Sequence, residues 1–212
     1  MCAKFSIEAE MERLQQMAVF EHELQNAGFH AIAGIDEVGR GPLAGPVVSA
    51  AVILPEDYYP IGINDSKKVS EKKREALFED ILKHATAYGF GIIDKDEIDR
   101  INILNATKAS MKMAVTALKT APDYLLIDAV KLEDISIPQK NIVKGDSLSI
   151  SIAAASIIAK VTRDRMMCDY DSRYPEYGFA KHKGYGTKQH IDAIKKYGIS
   201  PIHRLTYVKN FI

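Results

Sequence analysis

Apolar residues recur at helical spacing at the start of the chain, where Ile7, Met11, Leu14, Met17, Phe20 and Leu24 are separated by Glu, Gln and Arg. That period predicts one amphipathic helix, ended near Gly28 and packed on the flank of a domain. The pattern then changes to strands. Ala31 to Val38 and Val47 to Leu54 are apolar runs, the second stopped by Pro55. Between them Gly39, Arg40, Gly41, Pro42, Gly45 and Pro46 hold too many breakers for either regular element. So short a connection predicts an antiparallel pair.

Farther on, Ser70 reads as the N-cap of a helix carrying Ala76, Leu77, Ile81 and Leu82, and Thr86 to Ile93 as a third strand. Asp94 to Thr120 is helical in period, in two pieces breaking near Asn102 to Asn105, with Met111, Val115 and Leu118 facing inward. Asp123 to Ala129 predicts a buried parallel strand that delivers Asp128 at its C-terminal end. Asn141 onward is strand-like, then turns through Lys144, Gly145 and Asp146. Ile150 to Met167 is small or apolar on every side, so it belongs in the interior against the sheet, capped by Ser147 or Ser149 and followed by Pro175. Thr187 caps a short helix with His190, Ile191 and Ile194. Helix and strand alternate, which makes the class α/β.

At 212 residues the chain fits one domain, residues 31–212, with residues 1–30 as the helix packed on it. The 28 basic and 28 acidic residues cancel, so nucleic-acid binding, if present, must rest on local patches. Cys2 and Cys168 form no CxxC or metal-spaced set and fit a reducing cytoplasm, Cys168 as a buried small hydrophobe. The N-terminus, with Lys4, Glu8, Glu10, Glu12 and Arg13, has no signal-peptide core. The apolar run at Ile150 to Ala159 is shorter than the ~18 residues of a membrane span, so no membrane association is expected.

Four acids stand at the edges of apolar elements: Asp36, Glu37, Asp128 and Asp146. Buried carboxylates are costly unless they hold a metal or a partner, and an all-oxygen set suits Mg²⁺ or Mn²⁺. The alternative is scattered surface acids. Adjacent strand residues point to opposite faces, so Asp36 and Glu37 share a metal only if the strand bends at Val38, or if Glu37 acts through its carbonyl or a water. The basic run Lys67, Lys68, Lys72, Lys73 and Arg74 opens a helix, where cations forgo the dipole, and hints at an anionic ligand; a solvated helix start is the plainer explanation. Gly184 and Gly186 flank Tyr185 beside Lys181, His182 and Lys183, either an ordinary turn or an exposed stacking platform.

These segments resemble the type 2 ribonucleases H, and within them bacterial ribonuclease HII. The likeness is carried by GIDEVGRGPLAGPVV, DSKK at Asp65 to Lys68, Asp128, KGD at Lys144 to Asp146, SIAAASIIAKVTRD at Ser151 to Asp164, and HKGYGT at His182 to Thr187, in the family's order. The resemblance implies a ribonuclease H-like fold with a central mixed five-stranded sheet, and an endonuclease that cuts the RNA strand of RNA·DNA hybrids, leaving 5′-phosphate and 3′-hydroxyl ends, with Mn²⁺ or Mg²⁺. By position, Asp36, Glu37, Asp128 and Asp146 would be the metal-binding and catalytic acids. Gly39, Arg40 and Gly41 would sense a ribose 2′-OH, and Tyr185 would stack at an RNA–DNA junction. Apart from the resemblance, the basic residues are clustered rather than general, so Lys67, Lys68, Lys181 and Lys183 are expected to contact phosphates. From these roles we expect a monomer that also takes DNA duplexes containing single ribonucleotides and cuts 5′ of them. Two rivals remain open from sequence: a DNA junction resolvase of the same fold, which needs no 2′-OH sensor, and a hybrid-binding module, which needs no acids.

Overall fold

The run VVSAAVI is apolar on both alternating faces apart from Ser49, as in a strand covered from two sides. In the computed structural model, which describes residues 6–211, it lies inside a five-stranded sheet and is buried throughout. The elements in chain order are α1 (Ile7–Met17), α2 (Val19–Asn26), β1 (Ile32–Val38), β2 (Val47–Ile53), α3 (Glu71–His84), β3 (Ala87–Ile93), α4 (Lys95–Ile101), α5 (Ile103–Thr116), β4 (Tyr124–Asp128), β5 (Gln139–Ile142), a 3₁₀ turn (Gly145–Ser147), α6 (Ile150–Arg173), α7 (Phe179–His182), α8 (Lys188–Tyr197) and α9 (Leu205–Val208). The strand order is β3-β2-β1-β4-β5. The pairs β1·β2 and β2·β3 are antiparallel, and β1·β4 and β4·β5 parallel. Among the described residues no helix is long and apolar enough to cross a membrane.

Alternation along β1 divides its side chains between two layers. Ala33 and Ile35 join Leu125, Ile127 and Met111 on the α5 side. Gly34 faces α6 so closely that a Cβ there would lie 2.1 Å from the Ser151 carbonyl carbon. Only glycine admits that approach. α6 therefore lies against the central strands, and Ile150 to Ala159 are all buried, as an all-round apolar helix requires.

Several expectations need correction. The predicted N-terminal helix is two helices, broken at Ala18 (φ −94, ψ 8). The break has a packing cause: Leu14 and Met17 enter the core under α3 and α6, whereas Phe20 and Leu24 cover Ile32 and Leu126. One straight helix would serve one of these surfaces. From α2, Glu21 reaches the start of α6, where it accepts from Ser149 Oγ (2.5 Å), Ser151 Oγ (2.5 Å) and Ser151 N (3.0 Å). Ser149 itself caps α6. Ser70 occupies the cap position of α3, but its hydroxyl makes no capping hydrogen bond. α6 runs on to Arg173, past the last sheet contacts, so Cys168 on its outer turns is exposed, not buried. Cys2 and Lys4 lie outside the described residues.

Replacing Gly34 by alanine should cost about 1–3 kcal/mol, because backbone on both sides must shift to admit the methyl group. At roughly 2–4 °C per kcal/mol for a domain of this size, a thermal melt reads it directly. An unchanged melting temperature would show that α6 does not depend on this close seat.

Candidate active site

β1 and β4 run in parallel with Ile35 opposite Ile127, so the next residue of each strand, Asp36 and Asp128, reaches the same sheet edge side by side. β4 ends there, since Ala129 turns away at φ +52. Glu37 is thus two residues past Ile35, the last to pair with β4, and pairs only with Ser49 of β2. Its carboxylate comes round to the others: oxygens of Asp36, Glu37 and Asp128 lie within 4.8 Å of one another. The side chain itself joins the cluster, which resolves the facing problem raised by strand alternation.

Asp36 is buried, and its Oδ1 accepts from Glu37 N at 2.7 Å. Burial first, then the charges of Glu37 and Asp128, push its carboxyl well above the usual range. Burial likewise raises Glu37, against the pull of Arg40, whose Nη1 is 3.4 Å from Glu37 Oε1. Glu37 Oε2 is buried without a hydrogen-bond partner. Asp128 Oδ1 accepts from Gly145 N at 2.7 Å, which ties the 3₁₀ turn to the cluster. Asp146, on that turn, stands beside the three acids but outside their 4.8 Å group. Its carboxyl is raised by burial, then by Asp65 and Asp128, with Lys67 and Lys68 opposing. A divalent cation fits this set: three close carboxylates, one with an orphaned buried oxygen, offer hard ligands and charge that needs neutralising.

The cluster opens into a cleft of about 380 Å³, lined by Asp36, Glu37, Ser66, Lys67, Ser156, Lys160 and Tyr185 among others. Lys67 is raised by Asp65, Asp146 and Asp36 against its burial. Lys68 sits outside this lining, 3.7 Å from Asp65 and within reach of Ser147 Oγ (3.4 Å). Lys181 and Lys183 do not line it either; Lys183 Nζ is 3.2 Å from Cys168 Sγ. Arg74 spends its guanidinium on the carbonyls of Ser66 and Val69, so it shapes the 65–69 loop and is no open anion site.

The glycine loop is held from below by two buried arginines that the sequence reading passed over. Arg163 donates to Pro46 O (2.9 Å), Ala44 O (3.1 Å) and Lys183 O (2.9 Å). Arg204 donates to Gly39 O (2.6 Å), Arg40 O (3.0 Å) and Gly45 O (2.8 Å). Burial and the mutual repulsion of the pair lower Arg163 to about 10. Gly39 has φ +96, and a Cβ there would meet Arg163 Nε at 2.3 Å, so it is glycine for two reasons. Gly41 faces Tyr185: its Cβ position is 3.8 Å from Tyr185 Cε1. Leu43 N donates to Gly184 O (2.8 Å), joining this loop to the tyrosine loop. Ser156, Lys160 and Arg163 had a readable signal, since they stand four and then three residues apart, a polar stripe on an otherwise apolar helix. Arg204 lies in an aperiodic tail and had none.

A sequence model of the family described as Ribonuclease HII matches residues 33–210. Ribonuclease HII of Acetivibrio thermocellus is 60% identical over 209 residues, covering 99% of this chain and 82% of that protein. Ribonuclease HII of Ruminiclostridium cellulolyticum is 61% identical over 203 residues, covering 96% and 80%. Among solved structures, the ribonuclease H2 from Pyrococcus horikoshii superimposes with a TM-score of 0.73 at 27% identity, covering 85% of this chain and 96% of that one. The fold is therefore ribonuclease H-like, as the motifs imply.

Two outcomes follow from the electrostatics. Because the folded state raises Asp36, stability of the metal-free protein is highest below the unfolded carboxylate range near ~4 and falls as pH rises through the raised folded value. In chelator, Asp36→Asn should melt higher than the unchanged protein at about pH 8, with the gap closing towards about pH 4. A lower melting point at the alkaline end would show that the neighbours stabilise the carboxylate. Arg204→Lys keeps the charge but loses the planar fork, and should cost about 2–4 kcal/mol in urea unfolding. Full stability would release Arg204 from the role of loop anchor.

Proposed function

The chain belongs to the ribonuclease HII family, endoribonucleases of RNA·DNA hybrids, and on that premise we propose that it also cuts duplex DNA on the 5′ side of a single embedded ribonucleotide, by divalent-metal-assisted hydrolysis. Family membership sets aside both rivals, the DNA resolvase and the non-catalytic binding module. The observation that carries the reading is the adjacency of three parts: the carboxylate cluster, the glycine loop that directly follows it, and Tyr185 against Gly41.

Asp36, Glu37 and Asp128 would hold the ion, Mn²⁺ or Mg²⁺, with Asp146 at the side of the cluster nearest Lys67 and Lys68. When bound, it would supply charge neutralisation at the phosphate and a more acidic attacking water. Water adds its oxygen to phosphorus and the bond from phosphorus to the preceding 3′-oxygen breaks, so the products are a 3′-hydroxyl and a 5′-phosphate on the ribonucleotide. Lys67, in the cleft, balances negative charge on the incoming phosphate. Gly39 to Gly41 present main-chain donors and acceptors with no Cβ over Gly41, and a 2′-OH can both give and accept a hydrogen bond there. Tyr185, exposed on the same cleft, gives a flat face to the following sugar, where a deoxyribose packs closest. Lys68, Lys181 and Lys183 would meet phosphates outside the cleft.

Asp36→Asn and Asp128→Asn should each lose more than about 100-fold in cleavage, the scale for removing one electrostatic stabiliser of a transition state, while still binding hybrid. Chelator should abolish cleavage by the unchanged protein, and added Mn²⁺ restore it. The substrate claim is read by comparing duplexes with one and with four consecutive ribonucleotides. Cutting of the longer tract alone would refute it.

A further inference from the structure

Tyr185 projects from a loop that makes two left-handed turns, at Lys183 (φ +52) and Gly184 (φ +84). Beneath it lie three buried histidines, His182, His190 and His203, packed with Phe179 and Tyr177. Buried imidazoles are common as core filling. These three differ in that every ring nitrogen has a partner and the partners fix the tautomers.

Ser200 N–H donates to His203 Nδ1 (2.8 Å), so the His203 proton is on Nε2, which faces His190 Nε2 at 2.9 Å. His190 Nε2 must then accept, which puts its proton on Nδ1, and that nitrogen is 2.9 Å from the Tyr185 carbonyl. The chain has one direction: Ser200 to His203 to His190 to Tyr185. His182 works alongside it, accepting from Gly184 N at Nδ1 (3.2 Å) and donating from Nε2 to Tyr177 O (2.8 Å). His182 and His190 stack with centroids 4.4 Å apart. Burial lowers both His190 and His203 to about 4, so both rings are neutral at neutral pH and keep the order just described. Histidine alone among side chains offers a donor and an acceptor on opposite sides of one rigid ring.

We infer that His190 and His203 are positioning residues for junction recognition: the ordered chain of imidazoles fixes the Tyr185 backbone, and with it the tilt of the ring against the substrate sugar. The inference rests on the reading of Tyr185 given above, and the two can fail separately. The mutagenic handle is the difference between the two amides. In His190→Asn the amide N–H stands near the Nδ1 position and can still donate to Tyr185 O, whereas in His190→Gln the amide reaches the Nε2 position and leaves that carbonyl with Thr187 N–H (2.8 Å) alone, without its side-chain donor. Both lose the ring, so general loosening of the C-terminal core is common to both and appears in their melting temperatures.

The experiment measures kcat and KM on a duplex with one ribonucleotide, with an all-RNA hybrid strand as internal reference. His190→Gln should lose about 3- to 10-fold in kcat/KM on the single-ribonucleotide duplex relative to the hybrid, the worth of one net hydrogen bond, and His190→Asn should recover most of that loss. In a Tyr185→Ala background His190→Gln should add nothing, because the group it positions is gone. Equal selectivity loss in the two amides, or losses that multiply with Tyr185→Ala, would overturn the inference alone. A Tyr185→Ala variant with full single-ribonucleotide activity would overturn the junction reading and this inference with it.

Discussion

The structure depends on one contact, the seating of α6 on the bare backbone of Gly34. Once that helix lies against β1, its polar residues are distributed along the edge that carries the carboxylates. Ser151 meets Glu21 from the N-terminal helices. Ser156 stands at Asp36 and donates to Ser66 Oγ (2.9 Å). Lys160 pairs with Asp164 (2.7 Å) while lining the cleft, and Arg163 grips the glycine loop. A helix held away by a side chain at Gly34 would displace all of them together.

Charge is arranged in opposition across a short span. The edge of the sheet gathers carboxylates, of which burial raises Asp36, Glu37 and Asp146, while the layer below the loop holds two guanidinium groups satisfied by carbonyl oxygens. Neither set neutralises the other directly. The arginines are solvated by main chain, which makes the loop rigid, and the carboxylates are left under-satisfied, which makes them receptive to a cation. The site proposed above, which would take a metal and a polyanion in turn, needs both conditions.

Much of this was legible in the sequence because local pattern carried it. The five strands, the break at Asn102, the interior helix and the three clustered acids all follow from periodicity, breakers and the position of acids at the ends of apolar runs. What was missed depends on distant partners. The split at Ala18 reflects two packing surfaces formed by other segments, invisible to a helical period that continues through it. Cys168 was expected inside as a small hydrophobe, the usual place of a free cysteine, but α6 carries it past the sheet and leaves it exposed. Arg204 and the histidine chain gave no local signal, since their partners at Gly39, Gly45 and Tyr185 are known only once the chain is folded. Glu37 was the opposite case: alternation in a strand still paired with β2 sets it apart from Asp36, yet its carboxylate comes within 4.8 Å of the others at the edge where β4 has ended.

The link from Arg204 to Gly39 spans 165 positions of sequence. A ribosome adding roughly 5–20 residues per second exposes the loop some 10–30 seconds before the side chain that anchors it exists. Asp36 and Glu37 are made before that interval, Asp128 and Asp146 within it, and the loop beside them lacks this anchor until Arg204 follows. The loop that follows the first two acids thus takes its anchored shape late, by a contact that no local segment can supply.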